Sequence, residues 1–172
     1  EVTNTVTAQQ MKDALAALPT LSIVTDLPNL FDPERGIYTN PYGREEGSEC
    51  AISLELMHAD NSPGFHVGAG LRIRGGASRV ATNPKHNFHL YFRGEYGTPK
   101  LKYPLFGDEG ADEFDRIDLR TAQVSSWHQD GAADATYTRD EWNRATHGAM
   151  GQEYTRSRYY HLYINGHYWG IY

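Results

Sequence analysis

The residues with the clearest chemistry lie between Arg72 and Lys102, where seven Lys or Arg stand against one acid, Glu95. That stretch carries +6, while the whole 172-residue chain is formally -6. The positive charge is therefore local, unlike the diffuse cationic character that long nucleic acids select, so nucleic acid is not expected as a partner. Within the stretch, Arg72, Arg74, Arg79 and Lys85 surround the Gly75-Gly76 pair. The combination suits an anion, because glycine lets backbone approach a ligand closely and guanidinium forks match phosphate oxygens. Phosphoryl transfer needs such a cradle, a cation on the phosphates, carboxylates for Mg²⁺ and a group that positions the nucleophile. The turn supplies the first two. It is not a Walker A motif, since Gly-Lys-Ser/Thr is absent, and it lacks the spacing of the Gly-rich loop of ordinary protein kinases. Taken alone it reads as a hairpin glycine pair flanked by solvent-facing strand charges.

Other constellations carry less. The acids Asp108, Glu109, Asp112, Glu113 and Asp115 lack the ligand spacing of a calcium loop and read as a solvated segment, so no metal site is expected. Eight histidines include no His-x-x-x-His pair on a plausible helix, and His86 and His89, three apart on a strand, point to opposite faces. Ser125, Ser126, His128 and Asp130 contain the residue types of a hydrolase but no Gly-x-Ser-x-Gly elbow, and read as a polar loop. The single cysteine, Cys50, excludes an intrachain disulfide and reads as a packing residue. Twelve tyrosines and three tryptophans, many within 154–172, offer a stacking surface for carbohydrate or protein, yet their alternation along a hairpin points first to packing.

The elements that must position these residues follow from periodicity. With 39% hydrophobic and 22% charged residues, the chain has the make-up of one globular domain spanning 1–172. No run approaches the roughly 18–20 apolar residues of a membrane helix, and residues 1–10 lack signal-peptide architecture. Because the chain begins at Glu1 and stops at Tyr172 inside what reads as a strand, it is expected to be a piece of something longer. Thr7 with Gln10 predicts a capping box, and Met11, Ala14, Leu15 and Leu18 recur at helical spacing, giving a helix over 8–18. Residues 21–25 read as a strand and 26–47 as a long irregular loop. Alternation predicts strands at 51–57 and 67–73 joined through Asp60-Gly64, and another with Phe88, Leu90 and Phe92 on one face. A short strand follows around Ile117 and Leu119. Thr138 with Glu141 predicts a second capping box on a helix ending at Gly151, and Asn165-Gly166 predicts a hairpin. The expected fold class is α+β, with a mainly antiparallel or mixed sheet and two or more helices.

Several stretches, in order, resemble the CotH kinase family, named for spore coat protein H. They are LPTLSIVTDLPNLFDPERGIYTNP, GFHVGAGLRIRGGASR, NPKHNFHLYFRGEYG, KLKYPLFG, FDRIDLR, TYTRDEWNRATHGAMG and HLYINGHYWGIY, and together they cover nearly the whole chain. The resemblance implies the amino-terminal lobe of an atypical kinase-like fold. It also implies ATP with Mg as cofactors, transfer of phosphate to Ser or Thr of a protein substrate, and an extracellular, cell-surface or coat location. Position by position, Arg74 and Gly75 fall on the family's Arg-Gly turn, Lys85 on the first residue of its Lys-rich strand, and Arg139 on the Arg that opens its helix. These four are the expected nucleotide or phosphate contacts. Where many members carry a second Lys, then Ser, then Arg, this chain carries His86, Asn87 and His89. The family's Asn-x-Asp and Trp-Asp-x-Asp motifs do not occur here, so no catalytic residue is expected and the chain is expected to be inactive alone. The alternative reading is a non-catalytic extracellular binding or structural module on the same fold.

Overall fold

Alternating Leu and Ile on four successive segments dictate a sheet with one dry face, and a seven-stranded sheet is what forms. The structure, a computed structural model, describes residues 6–83, 85–122 and 135–172. Its strands are β1 (Thr20–Val24), β2 (Cys50–Met57), β3 (Phe65–Arg74), β4 (Asn87–Tyr91), β5 (Leu101–Lys102), β6 (Glu113–Phe114), β7 (Arg116–Leu119), β8 (His161–Ile164) and β9 (His167–Ile171). The helices are α1 (Ala8–Ala16), α2 (Leu27–Phe31) and α3 (Arg139–Ala149). The large sheet runs β7-β4-β3-β2-β1-β8-β9, and β5 pairs with β6 apart from it. All pairings are antiparallel except β1 with β8, which is parallel. The class is α+β with a mixed sheet, as expected from the periodicity.

Register places Leu21, Leu54, Leu71, Phe88 and Leu162 at 1% exposure or less, and they join Leu30 and Ile37 of the 26–47 segment in one apolar cluster. Each such side chain contributes roughly 1.5–3 kcal/mol by leaving water. The 26–47 segment is not wholly irregular: Pro28, in the first turn of α2, presets helical φ and needs no N–H partner there. Leu30 and Ile37 then anchor the segment on the sheet.

Both helix-start expectations were specific enough to check. At α1 the capping box forms, with Gln10 N–H donating to Thr7 Oγ1 at 3.2 Å and Thr7 N–H donating to Gln10 Oε1 at 2.8 Å. At α3 it does not. Thr138 sits at the N-cap with φ -96° and ψ -2°, outside the extended region from which a capping hydroxyl reaches the free N–H groups, and it makes no side-chain cap. The α3 C-terminus does close as the sequence predicts: Gly151 takes φ +73°, its N–H donates to Gly148 O, and Gln152 N–H donates to His147 O. The Asn165-Gly166 hairpin forms with both residues at positive φ, 49° and 79°. No helix among the described residues is long and apolar enough to cross a membrane.

Candidate functional site

The four residues expected to contact phosphate do not converge on a single point. Arg74 ends β3, and its Nε lies 2.8 Å from Asp118 Oδ2 on β7 as an ion pair. Asp118 also accepts from His89 Nδ1 at 2.6 Å, so one carboxylate anchors two basic side chains of the polar face. Gly75 follows at φ +113°, where a Cβ would stand 1.9 Å from Ser78 Oγ, so the turn demands glycine on two counts. Its carbonyl does not face outward but accepts from Arg79 Nε at 2.6 Å.

Arg79 is a structural cation rather than a ligand contact. It is 5% exposed, and its guanidinium donates to the carbonyls of Gly75, Pro41, Gly43 and Ile73. Burial and the nearby charges of Arg44 and Arg72 lower its pKa, yet an arginine stays charged. The side chain thus ties the Arg-Gly turn to the 41–43 segment.

Lys85 lies behind the last strand. Its Nζ donates to Ile171 O at 2.7 Å and sits 4.6 Å from the centre of the Tyr172 ring. Desolvation lowers its pKa to about 8. The Tyr172 hydroxyl donates to His86 O, its ring stacks on Phe88, and burial pushes the phenol pKa up. Nearby, Trp169 Nε1 donates to Tyr38 Oη at 2.6 Å, so the aromatics of this hairpin pack inward. Tyr168, half exposed on the same strand, is an exception.

The three positions at which the chain departs from the family pattern have structural uses. The His86 ring is buried and donates from Nδ1 to Ser78 O, and burial lowers its pKa. Asn87 Oδ1 accepts from Thr121 N–H at 2.7 Å, closing β4 onto the end of β7. His89 faces Asp118; burial first, together with the charges of Arg116 and Arg74, lowers its pKa against the opposing effect of the carboxylate.

A cleft of about 500 Å³ opens beside these residues, between β7, the 105–114 segment, α3 and the 155–160 segment. Leu105, Phe106, Phe114, Ile117, Tyr160 and Tyr172 give it an apolar floor. Six arginines, Arg74, Arg116, Arg120, Arg144, Arg156 and Arg158, line it together with Asp118, Asp140 and Glu141. Arg120 and Arg144 share Asp140 at 2.6 and 3.1 Å, while Arg156 meets Glu109 only at 3.6 Å. Among the described residues, the buried Glu141 Oε2, Arg156 Nε and Ser157 Oγ of this cleft lack a hydrogen bond, although Glu141 and Arg156 have ion-pair partners at 3.9 and 3.6 Å. Buried polar atoms are normally satisfied, so these three stand out within the cleft. The cleft thus sets guanidinium donors and three carboxylates around an apolar floor.

Arg74 is the expected contact that lines the cleft. Lys85 stands one layer behind its Tyr172 wall, Gly75 is in the adjoining turn, and Arg139 is exposed at the start of α3, outside the lining. Arg116, Arg156, Ser157 and Arg158 were missed because each is unremarkable by itself. One signal was present: two arginines, Arg156 and Arg158, flank a serine within three residues. The Ser125, Ser126, His128 and Asp130 constellation lies outside the described residues. No group of three or more His, Cys, Asp or Glu that could hold a metal ion occurs among the described residues. The chain matches no protein-family model and no curated protein.

Proposed function

We propose that this chain is the nucleotide-binding amino-terminal lobe of a CotH-like atypical protein kinase, with the arginine-rimmed cleft receiving Mg-ATP. The observation that carries the reading is the gathering of six arginines around one apolar-floored cleft beside the Arg74-Gly75 turn. The ordered sequence blocks supply the family. In this reading the purine covers the apolar floor, Arg74 and the other arginines take the phosphates, and Lys85 adds a second cation from behind Tyr172. Arg139 would act from the rim. The chain is assigned binding and not turnover, because the family's aspartate motifs do not occur in its sequence. The protein substrate and the extracellular or coat setting follow from the resemblance alone.

Calorimetric titration with Mg-ATP tests the reading. Saturable heat is expected, weakened about tenfold or more by Arg74→Gln through loss of one charge-assisted contact. No heat in the wild-type chain overturns it. The alternative, a non-catalytic binding or structural module, is favoured by the internal engagement of Asp118 with Arg74 and His89 and of Asn87 with Thr121. That module has no reason to bind nucleotide, so the same titration separates the two.

A further inference from the structure

Internal partners account for most of the positive charge between Arg72 and Lys102. Arg74 faces Asp118, Arg79 is wrapped by carbonyls, Lys85 donates to Ile171 O, and Lys100 and Lys102 pair with Glu113 and Asp115. Arg93, itself paired with Glu49 and Glu95, meets Arg72 at Tyr91 on the polar face of the sheet. Each places its guanidinium carbon 4.8 Å from the centre of the Tyr91 ring, and Arg116 places its own at 6.0 Å. Register explains the convergence: Gly70, Tyr91 and Arg116 form one row across β3, β4 and β7, and Arg72, His89 and Asp118 form the next.

The charges of these arginines are unequally compensated. Arg93 has Glu49 at 3.4 Å and Glu95 at 3.5 Å. Among the described residues Arg116 pairs with Asp118 alone, at 4.0 Å, and that carboxylate is already engaged by Arg74 and His89. Arg72 donates to the carbonyls of Arg44 and Glu45 and to the Tyr91 hydroxyl, all of them neutral, and no carboxylate pairs with it among the described residues. Neutral anchors fix the position of a guanidinium without cancelling its charge. The result is a preorganised cation, with two further guanidiniums around the same tyrosine ring.

We propose that Arg72, Arg93 and Arg116 form an oxyanion site on the polar face of β3, β4 and β7, taking a phosphate or sulfate monoester group. Guanidinium forks bind such tetrahedral anions through paired N–H donors, and Tyr91 acts as the spacer that holds the forks apart. Arg72, Tyr91 and Arg93 do not line the large cleft; Arg116 reaches both.

Titration of the whole chain with inorganic phosphate and inorganic sulfate, followed by NMR of the arginine Nε–H resonances, tests the site. Each titration is repeated with Mg-ATP present, which separates this face from the cleft. Saturable shifts at Arg72 and Arg93 are expected at millimolar anion, unchanged by Mg-ATP, with Arg72→Gln weakening them about tenfold. Should Arg72→Gln fail to fold, Arg93→Gln gives the same readout. A further pair of titrations, with O-phosphotyrosine and O-sulfotyrosine, identifies the ester by which binds more tightly. Shifts confined to the cleft arginines, shifts at Arg72 abolished by Mg-ATP, or unaltered binding in a folded Arg72→Gln chain would each overturn the proposal.

Discussion

Replacing Arg79 with Ala tests whether the Arg-Gly turn is held from beneath. Four carbonyls, those of Gly75, Pro41, Gly43 and Ile73, lose a charged donor at a site that is almost wholly buried. A hydrogen bond to a charged group contributes about 1.5–3 kcal/mol net, but the four are not additive, because water enters the vacated space and satisfies some of the carbonyls. A loss of about 4 kcal/mol is therefore expected, rather than the full sum. For a domain of this size each kcal/mol moves the melting temperature by about 2–4 °C, which gives a drop of about 8–16 °C. Arg79→Lys keeps the charge but concentrates its donors on one nitrogen that cannot reach four carbonyls, so it should fall about halfway. The assay is thermal unfolding followed by circular dichroism, with urea unfolding to give the free energy. If both variants melt within about 3 °C of wild type, the four carbonyls do not depend on Arg79 and the account of the turn is wrong.

Two other outcomes follow from Lys85. Its folded pKa of about 8 lies below the ordinary lysine value, so the unfolded chain binds more protons between those two values and stability should rise with pH across that window; Lys85→Met should flatten the rise in a urea-unfolding series. A polyphosphate arriving nearby should raise that pKa, so Mg-ATP binding near pH 8 should take up protons, read as a dependence of calorimetric heat on buffer ionisation enthalpy that Lys85→Met removes. Gly170 stands at φ +104°, and a Cβ there would lie 2.7 Å from Lys85 Nζ. Gly170→Ala should therefore cost about 2 kcal/mol through backbone strain, measured by urea unfolding, and should move the lysine off Ile171 O.

How far the sequence could be read depended on whether the signal was local. The strand pattern was legible because a half-buried strand must alternate, and Ile52, Leu54 and Leu56 do so without interruption. The Asn165-Gly166 turn and the Gly151 cap were legible because positive φ restricts residue choice. The Thr138 cap was not, since backbone angles at that residue, and not its type, decide whether the hydroxyl can reach an N–H. α2 was hidden by the Pro, Asn and Asp that usually mark loops, and its stability rests on Leu30 packing against distant strands. At the site, glycine and charge drew attention to residues 72–85. The structural role of Arg79 and the recruitment of Arg156, Ser157 and Arg158 depend on contacts across large sequence separations. Such contacts leave no short-range trace.

The parallel pairing of β1 with β8 governs the order in which this chain can fold. β8 lies between β1 and β9, so the strand formed by residues 20–24 is bonded on one side by residues about 140 positions later, and Asn165 clasps it through Ile23 O and Thr25 N–H. During synthesis at roughly 5–20 residues per second, β2 can pair with β1 early, but the other edge of β1 waits several seconds for its partner. That strand carries Leu21 and Ile23, two of the most deeply buried side chains in the sheet. Slow, late closure of a sheet of high contact order follows, with an interval in which the nascent chain presents a sticky unpaired strand.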